Sequence, residues 1–141
     1  MIENVDIDKV TEKLSHIEDN VKKLEDMRCF SEEQFLEDYR NPGSAKYFLQ
    51  VAIEAMIDIT NHIIARNRLG KAETNKELFK ILADNNIIDK KMVTNYSDMT
   101  KFRNKVVHLY NEIDDKQIYK ILKFKLEDFY IFLDEINRAL K

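Results

Sequence analysis

The chain has 141 residues, 44% hydrophobic and 35% charged, with two glycines, one proline and a formal net charge of −3. That length suits a single domain, residues 1–141, with a core that needs neither disulfides nor a structural metal, and so few breakers exclude the many turns of an all-β fold. The lone Cys29 excludes an internal disulfide, and the acidic balance excludes general affinity for nucleic acid or membranes, so any polyanion site must be a local patch. With no N-terminal signal pattern and no apolar run near about 18 residues, the expectation is a soluble, cytoplasmic protein without membrane association.

Helical periodicity accounts for nearly every segment. Val10, Leu14, Ile17, Val21 and Leu24 recur at spacings of four and three, which predicts a first helix over roughly residues 6–27, capped by Asp6 or Asp8. Ser31 and Gln34 have the form of a capping box and open a short second helix reaching Tyr39 or Arg40. Asn41-Pro42-Gly43-Ser44 reads as a turn, with Ser44 placed to cap a long helix. Phe48, Val51, Ala52, Ala55, Ile59 and Ile63 mark that helix, and Gly70 is placed to terminate it.

Thr74 and Glu77 form a second capping box before a short helix through Leu78, Ile81 and Leu82, which Asn85-Asn86 should break. Met92, Met99, Phe102, Val106 and Leu109 mark the apolar side of the next helix. After Asp114-Asp115, the residues Ile118, Leu122, Phe129, Leu133, Ile136 and Leu140 form one last long stripe. The pattern predicts an all-α, antiparallel up-and-down bundle of four principal helices, with shorter helices in the connections.

The densest chemistry lies in Arg103-Asn104-Lys105-Val106-Val107-His108-Leu109-Tyr110. At about 100° per residue from Arg103, Tyr110 falls near −20°, Asn104 near 100° and His108 near 140°. Met99, Phe102, Val106 and Leu109 occupy a separate arc of about 240–320°. Asn104 and His108 are an i,i+4 pair, so the amide is expected to orient the imidazole. Lys101, Arg103 and Lys105 occur with no acid between residues 101 and 108, a basic patch on an acidic chain. A permanent cation beside a group that exchanges protons near neutral pH suits a phosphate substrate. An isolated Arg-x4-His on a helix is also common by chance, and a solvated histidine is its usual outcome.

Glu54, Asp58 and His62 recur every four residues, a spacing that could furnish metal ligands from one helix. A di-metal bundle wants Glu-x-x-His pairs on two helices, and the chain has none, so these residues read first as polar groups bonding a neighbouring helix. The expectation is no metal and no cofactor. His16 lies among polar residues and reads as solvated, and the charge runs Lys22-Lys23 and Asp89-Lys90-Lys91 read as solvated faces.

The run Arg-Asn-x3-His-x-Tyr, late in an all-helical chain of this length, resembles the HEPN superfamily and most of all its HepT-like branch. The resemblance extends over the whole chain, including the helix Val51–His62, and Arg103, Asn104, His108 and Tyr110 all match the motif. It implies a metal-independent endoribonuclease, the toxin of a type VII-like HEPN/MNT toxin–antitoxin pair. On this view the RNA 2′-hydroxyl attacks the adjacent phosphate. His108 serves as base or acid, Arg103 clamps the phosphate, and Asn104 orients. One histidine cannot easily carry both proton transfers, which points to a homodimer with a shared cleft. The resemblance further implies an MNT-type nucleotidyltransferase antitoxin that transfers AMP to Tyr110, and it leaves Glu54 or Asp58 available to pair with Arg103. The competing reading is a non-catalytic helical module that binds nucleotides or docks a nucleotidyltransferase.

Overall fold

The computed structural model describes residues 2–141 except the side chain of Tyr110, and those residues are helical with short connections. Helix α1 spans Ile7–Arg28, α2 Glu32–Glu37, α3 Arg40–Asn67, α4 Asn75–Asp84, α5 Val93–His108, α6 Asp115–Phe124 and α7 Glu127–Leu140. The all-α class expected from composition is the fold observed.

Contacts between elements fix the topology. Lys13 on α1 meets Asp58 on α3, and the Asp6 N–H before α1 meets His62 near the end of α3, so α1 and α3 are antiparallel. The Ile2 N–H donates to the Ala139 carbonyl and the Tyr130 hydroxyl to Glu25, which makes α1 and α7 antiparallel. The Asp89 N–H and the Tyr96 hydroxyl both donate to Glu135, while the Asn95 amide donates to Asp128, so α5 opposes α7 as well. Helix α5 therefore runs antiparallel to α3, and the four principal helices alternate up and down. Their apolar stripes meet in one cluster that includes Ile17, Leu24, Met56, Ile59, Phe132 and Ile136, all with no exposed surface. Each such side chain contributes about 1.5–3 kcal/mol by leaving water.

Several helix ends follow the sequence. The Asp6 carboxylate accepts from the Lys9 N–H at 3.1 Å and caps α1. At α2 both halves of the capping box form: Ser31 Oγ accepts from the Gln34 N–H at 3.1 Å, and the Ser31 N–H donates to Gln34 Oε1 at 3.0 Å. Asn86 has φ 59, the left-handed conformation that stops α4. His16 is exposed, as a solvated residue should be.

Other ends differ. Asn41-Pro42-Gly43-Ser44 is the first turn of α3, not a connection, and Ser44 caps nothing. Proline fits there because the N–H groups of a first turn have no partner within the helix. Helix α3 stops at Asn67 because Arg68, not Gly70, adopts the left-handed conformation (φ 52, ψ 47). Thr74 caps α4 by accepting from the Glu77 N–H, but the Glu77 carboxylate reaches the Glu73 N–H at 2.6 Å, so the expected box closes one residue early. The last stripe is two helices: α6 packs on α1, α2 and α3, and a break at Lys125-Leu126 redirects the chain into α7. The gap of seven between Leu122 and Phe129 marks that change of direction. Finally, α3 has an 18-residue window apolar enough to cross a membrane, although no unbroken apolar run exists. Half of that window is buried inside the bundle.

Candidate functional site

Helix α5 divides into two halves. Tyr96, Ser97 and Thr100 are buried, and no residue of the helix after Thr100 is. Burying Ser97 and Thr100 is tolerated partly because the Thr100 hydroxyl donates to the Ser97 carbonyl at 2.7 Å. The second half climbs out of the core with only Phe102 and Val106 still packed against it, and it carries the polar motif at the surface. Val107 and Leu109 are 40% and 50% exposed, so Leu109 does not belong to the core-facing arc expected for it.

Arg103 is the anchored member of the motif. Its Nη2 donates to Glu54 Oε2 at 2.7 Å and its Nη1 to Asn104 Oδ1 at 3.0 Å. The pair with Glu54 is partly shielded, with side-chain exposures of 26% and 34%. Gln50, one turn earlier on α3, donates to the other Glu54 oxygen at 3.3 Å and steadies the carboxylate. Arg103 Nε is buried without a partner among the described residues.

Asn104 therefore orients Arg103 rather than His108; among the described residues no hydrogen bond joins Asn104 to His108. The i,i+4 spacing makes the pair neighbours, but the guanidinium offers the amide oxygen a charged donor. His108 is exposed and ends α5. Leu109 then leaves the helix with φ −136 and ψ 38. Tyr110 opens a separate 3-10 turn, Tyr110–Glu112, so the angle of −20° expected from a continuous helix does not apply. The direction of its side chain lies outside the described residues.

The third-helix series separates. Glu54 takes Arg103, Asp58 pairs with Lys13 at 3.1 Å, and His62 Nε2 accepts from the Asp6 N–H at 2.9 Å. Of the two acids considered as supports for Arg103, only Glu54 serves. Among the described residues no group of three or more His, Cys, Asp or Glu side chains could hold a metal. The structure also shows a groove of about 450 Å³ that periodicity did not suggest, between α5 and α6 beside the motif.

The fold is an antiparallel helical bundle in which the third principal helix carries Arg103 and His108 at its emergent end. The profile of the ribonuclease HepT-like family matches residues 17–136, and the chain belongs to that family. It is 29% identical over 139 residues to the tRNA nuclease HepT of Aphanizomenon flos-aquae, covering 99% of this chain and 92% of that one. It is 32% identical over 130 residues to the mRNA nuclease HepT of Shewanella oneidensis, covering 92% and 97%. Among solved structures it resembles the tri-AMPylated HEPN toxin of Shewanella oneidensis in complex with MNT antitoxin. The TM-score is 0.84 at 31% identity, over 93% of this chain and 98% of that one.

Proposed function

We propose that this chain is an endoribonuclease toxin whose site lies at the exposed end of α5. The observation that carries this reading is Arg103, held by Glu54 and Asn104, about a turn and a half before an exposed His108. The nuclease relatives and the toxin–antitoxin neighbour support it.

The chemistry is metal-independent transphosphorylation. The RNA 2′-oxygen gives up its proton and forms a bond to the adjacent phosphorus, while the bond to the 5′-oxygen breaks and that oxygen receives a proton. The products are a 2′,3′-cyclic phosphate and a free 5′-hydroxyl. Arg103 offsets the charge that builds on the phosphoryl oxygens. Glu54 and Asn104 hold Arg103. His108 moves one of the two protons, and the His108 of a second copy moves the other in a two-fold dimer. Exposed Val107 and Leu109, flanking His108 in the chain, supply apolar surface for such an interface. The site works on cellular RNA in the cytoplasm and is silenced by an MNT-type nucleotidyltransferase that attaches AMP to Tyr110. The tri-AMPylated state of the Shewanella toxin supports that control.

The same exposed apolar residues favour a second reading, a non-catalytic module that docks a nucleotidyltransferase. One experiment divides the two. Purified protein is incubated with RNA in EDTA and the product ends are analysed. Cleavage that leaves cyclic phosphates supports the enzyme, and intact RNA, with the partner still bound in a pull-down, supports the module.

A further inference from the structure

Two stretches of this acidic chain contain bases and no acids. Residues 99–111 carry Lys101, Arg103, Lys105 and His108, and residues 116–126 carry Lys116, Lys120, Lys123 and Lys125. The fold sets them on opposite sides of the groove beside the motif. Met99 and Phe102 line it from α5, and Lys120, Ile121, Phe124 and Lys125 line it from α6 and the residue that follows. Phe102 immediately precedes Arg103 in the chain, so the groove opens next to the candidate site.

Phe124 is 78% exposed. On α6 it lies about 40° from Lys120 around the axis, so ring and ammonium share one face. Lys120 and Lys125 form no ion pair among the described residues, whereas nearby Lys46 is tied to Asp115 and Lys101 to Asp98. Two carboxylates also border the groove: Asp98 is paired with Lys101 at 4.0 Å, and Asp128 accepts from the Asn95 amide at 3.4 Å and lies within reach of the Lys125 charge. An exposed aromatic ring between unpaired lysines, over an apolar slot, is the arrangement that holds single-stranded nucleic acid. The ring stacks a base and the cations follow the backbone.

We propose that the α5–α6 groove is a base-binding subsite for single-stranded RNA next to the cleavage site. A flanking base stacks on Phe124, and adjacent phosphates rest on Lys120 and Lys125. The assignment rests on the nuclease reading and names the strand form of its substrate.

The test uses full-length protein carrying His108→Ala, to stop turnover, with a labelled single-stranded RNA oligonucleotide of mixed sequence, read by fluorescence anisotropy. Adding Phe124→Ala should weaken binding about ten-fold. Adding Lys120→Gln with Lys125→Gln should weaken it and flatten the slope of log affinity against log salt by roughly 1.4, the share of two phosphate contacts on a single strand. These side chains are exposed, and circular dichroism should stay native. With His108 intact, both sets of substitutions should raise KM with kcat near normal. Unchanged affinity and salt slope in both variants would overturn the subsite. Dissociation of a dimer by Phe124→Ala without change in RNA affinity would assign the groove to a second copy and overturn it too. If the parent chain binds RNA through Phe124 but never cuts it, the subsite stands and the nuclease reading falls.

Discussion

Arg103 is held more firmly than a surface cation, and the manner of its holding can be tested apart from its charge. Glu54 and Asn104 occupy two of its donors and leave Nε free. Glu54→Ala should loosen the guanidinium and lower RNA cleavage by the order of 10-fold to 10²-fold through kcat. Glu54→Gln keeps an oxygen for Nη2 and should recover most of that rate. Equal losses in the two variants would mean that the carboxylate acts by its charge and not as a rest for Arg103. At this scale the helical spacing paired Asn104 with His108, whereas its amide oxygen takes the Arg103 guanidinium. Helical spacing places Asn104 and His108 side by side, but it carries no information on which donor an amide oxygen will take when a guanidinium is also in reach. Glu54 stood as one of two candidates because the separation of four from Asp58 puts both on one helix face. The choice between them depended on how α3 meets α1 and α5, which is tertiary information.

Element ends decide where the motif sits, and here local rules were less complete. The wheel for residues 103–110 assumed one continuous helix, whereas the chain turns at Leu109 and gives Tyr110 to a 3-10 turn. Co-expression with an MNT-type nucleotidyltransferase partner should add one or more AMP units at Tyr110 and abolish cleavage, since each adenylate brings bulk and negative charge. Tyr110→Phe should escape that control and remain toxic. Absence of any adduct by intact-mass spectrometry, with the Phe variant fully neutralised, would leave the inhibition to masking.

Another junction predicts a pH effect. His62 Nε2 accepts the Asp6 N–H at the start of α1, so it must be neutral there. Desolvation by burial, followed by the charges of Arg66 and Lys9, lowers its pKa below 6.5 and outweighs the opposite pull of Asp6. The unfolded chain therefore binds this proton first as pH falls. The stabilisation is complete above about pH 6.5 and is lost progressively as acidity approaches the lowered value. Urea midpoints measured at about pH 7.5 and pH 5.5 should fall less in His62→Gln than in the parent. An equal fall in both proteins would show that the α1–α3 junction does not sense protonation.

The whole molecule explains why a short motif suffices. The four stripes that periodicity revealed pack into the core, while α5 runs past that core and presents Arg103, Asn104 and His108 on its surface half. Bundle and core were legible because spacings of three and four encode them directly. The split of the last stripe and the groove between α5 and α6 were not, because both depend on how separate helices meet.

One protomer supplies one motif histidine for two proton transfers, so the molecule that cuts should be a two-fold dimer. Mixing wild-type subunits with His108→Ala subunits should lower activity beyond dilution, and a monomer by light scattering that still cuts RNA would exclude the shared site. The most direct measurement is single-turnover cleavage of RNA in EDTA by the wild type and by His108→Ala. The account predicts cyclic-phosphate products from the first and none from the second, with superimposable circular dichroism because the imidazole is exposed. Equal cleavage by the two natively folded proteins would contradict it.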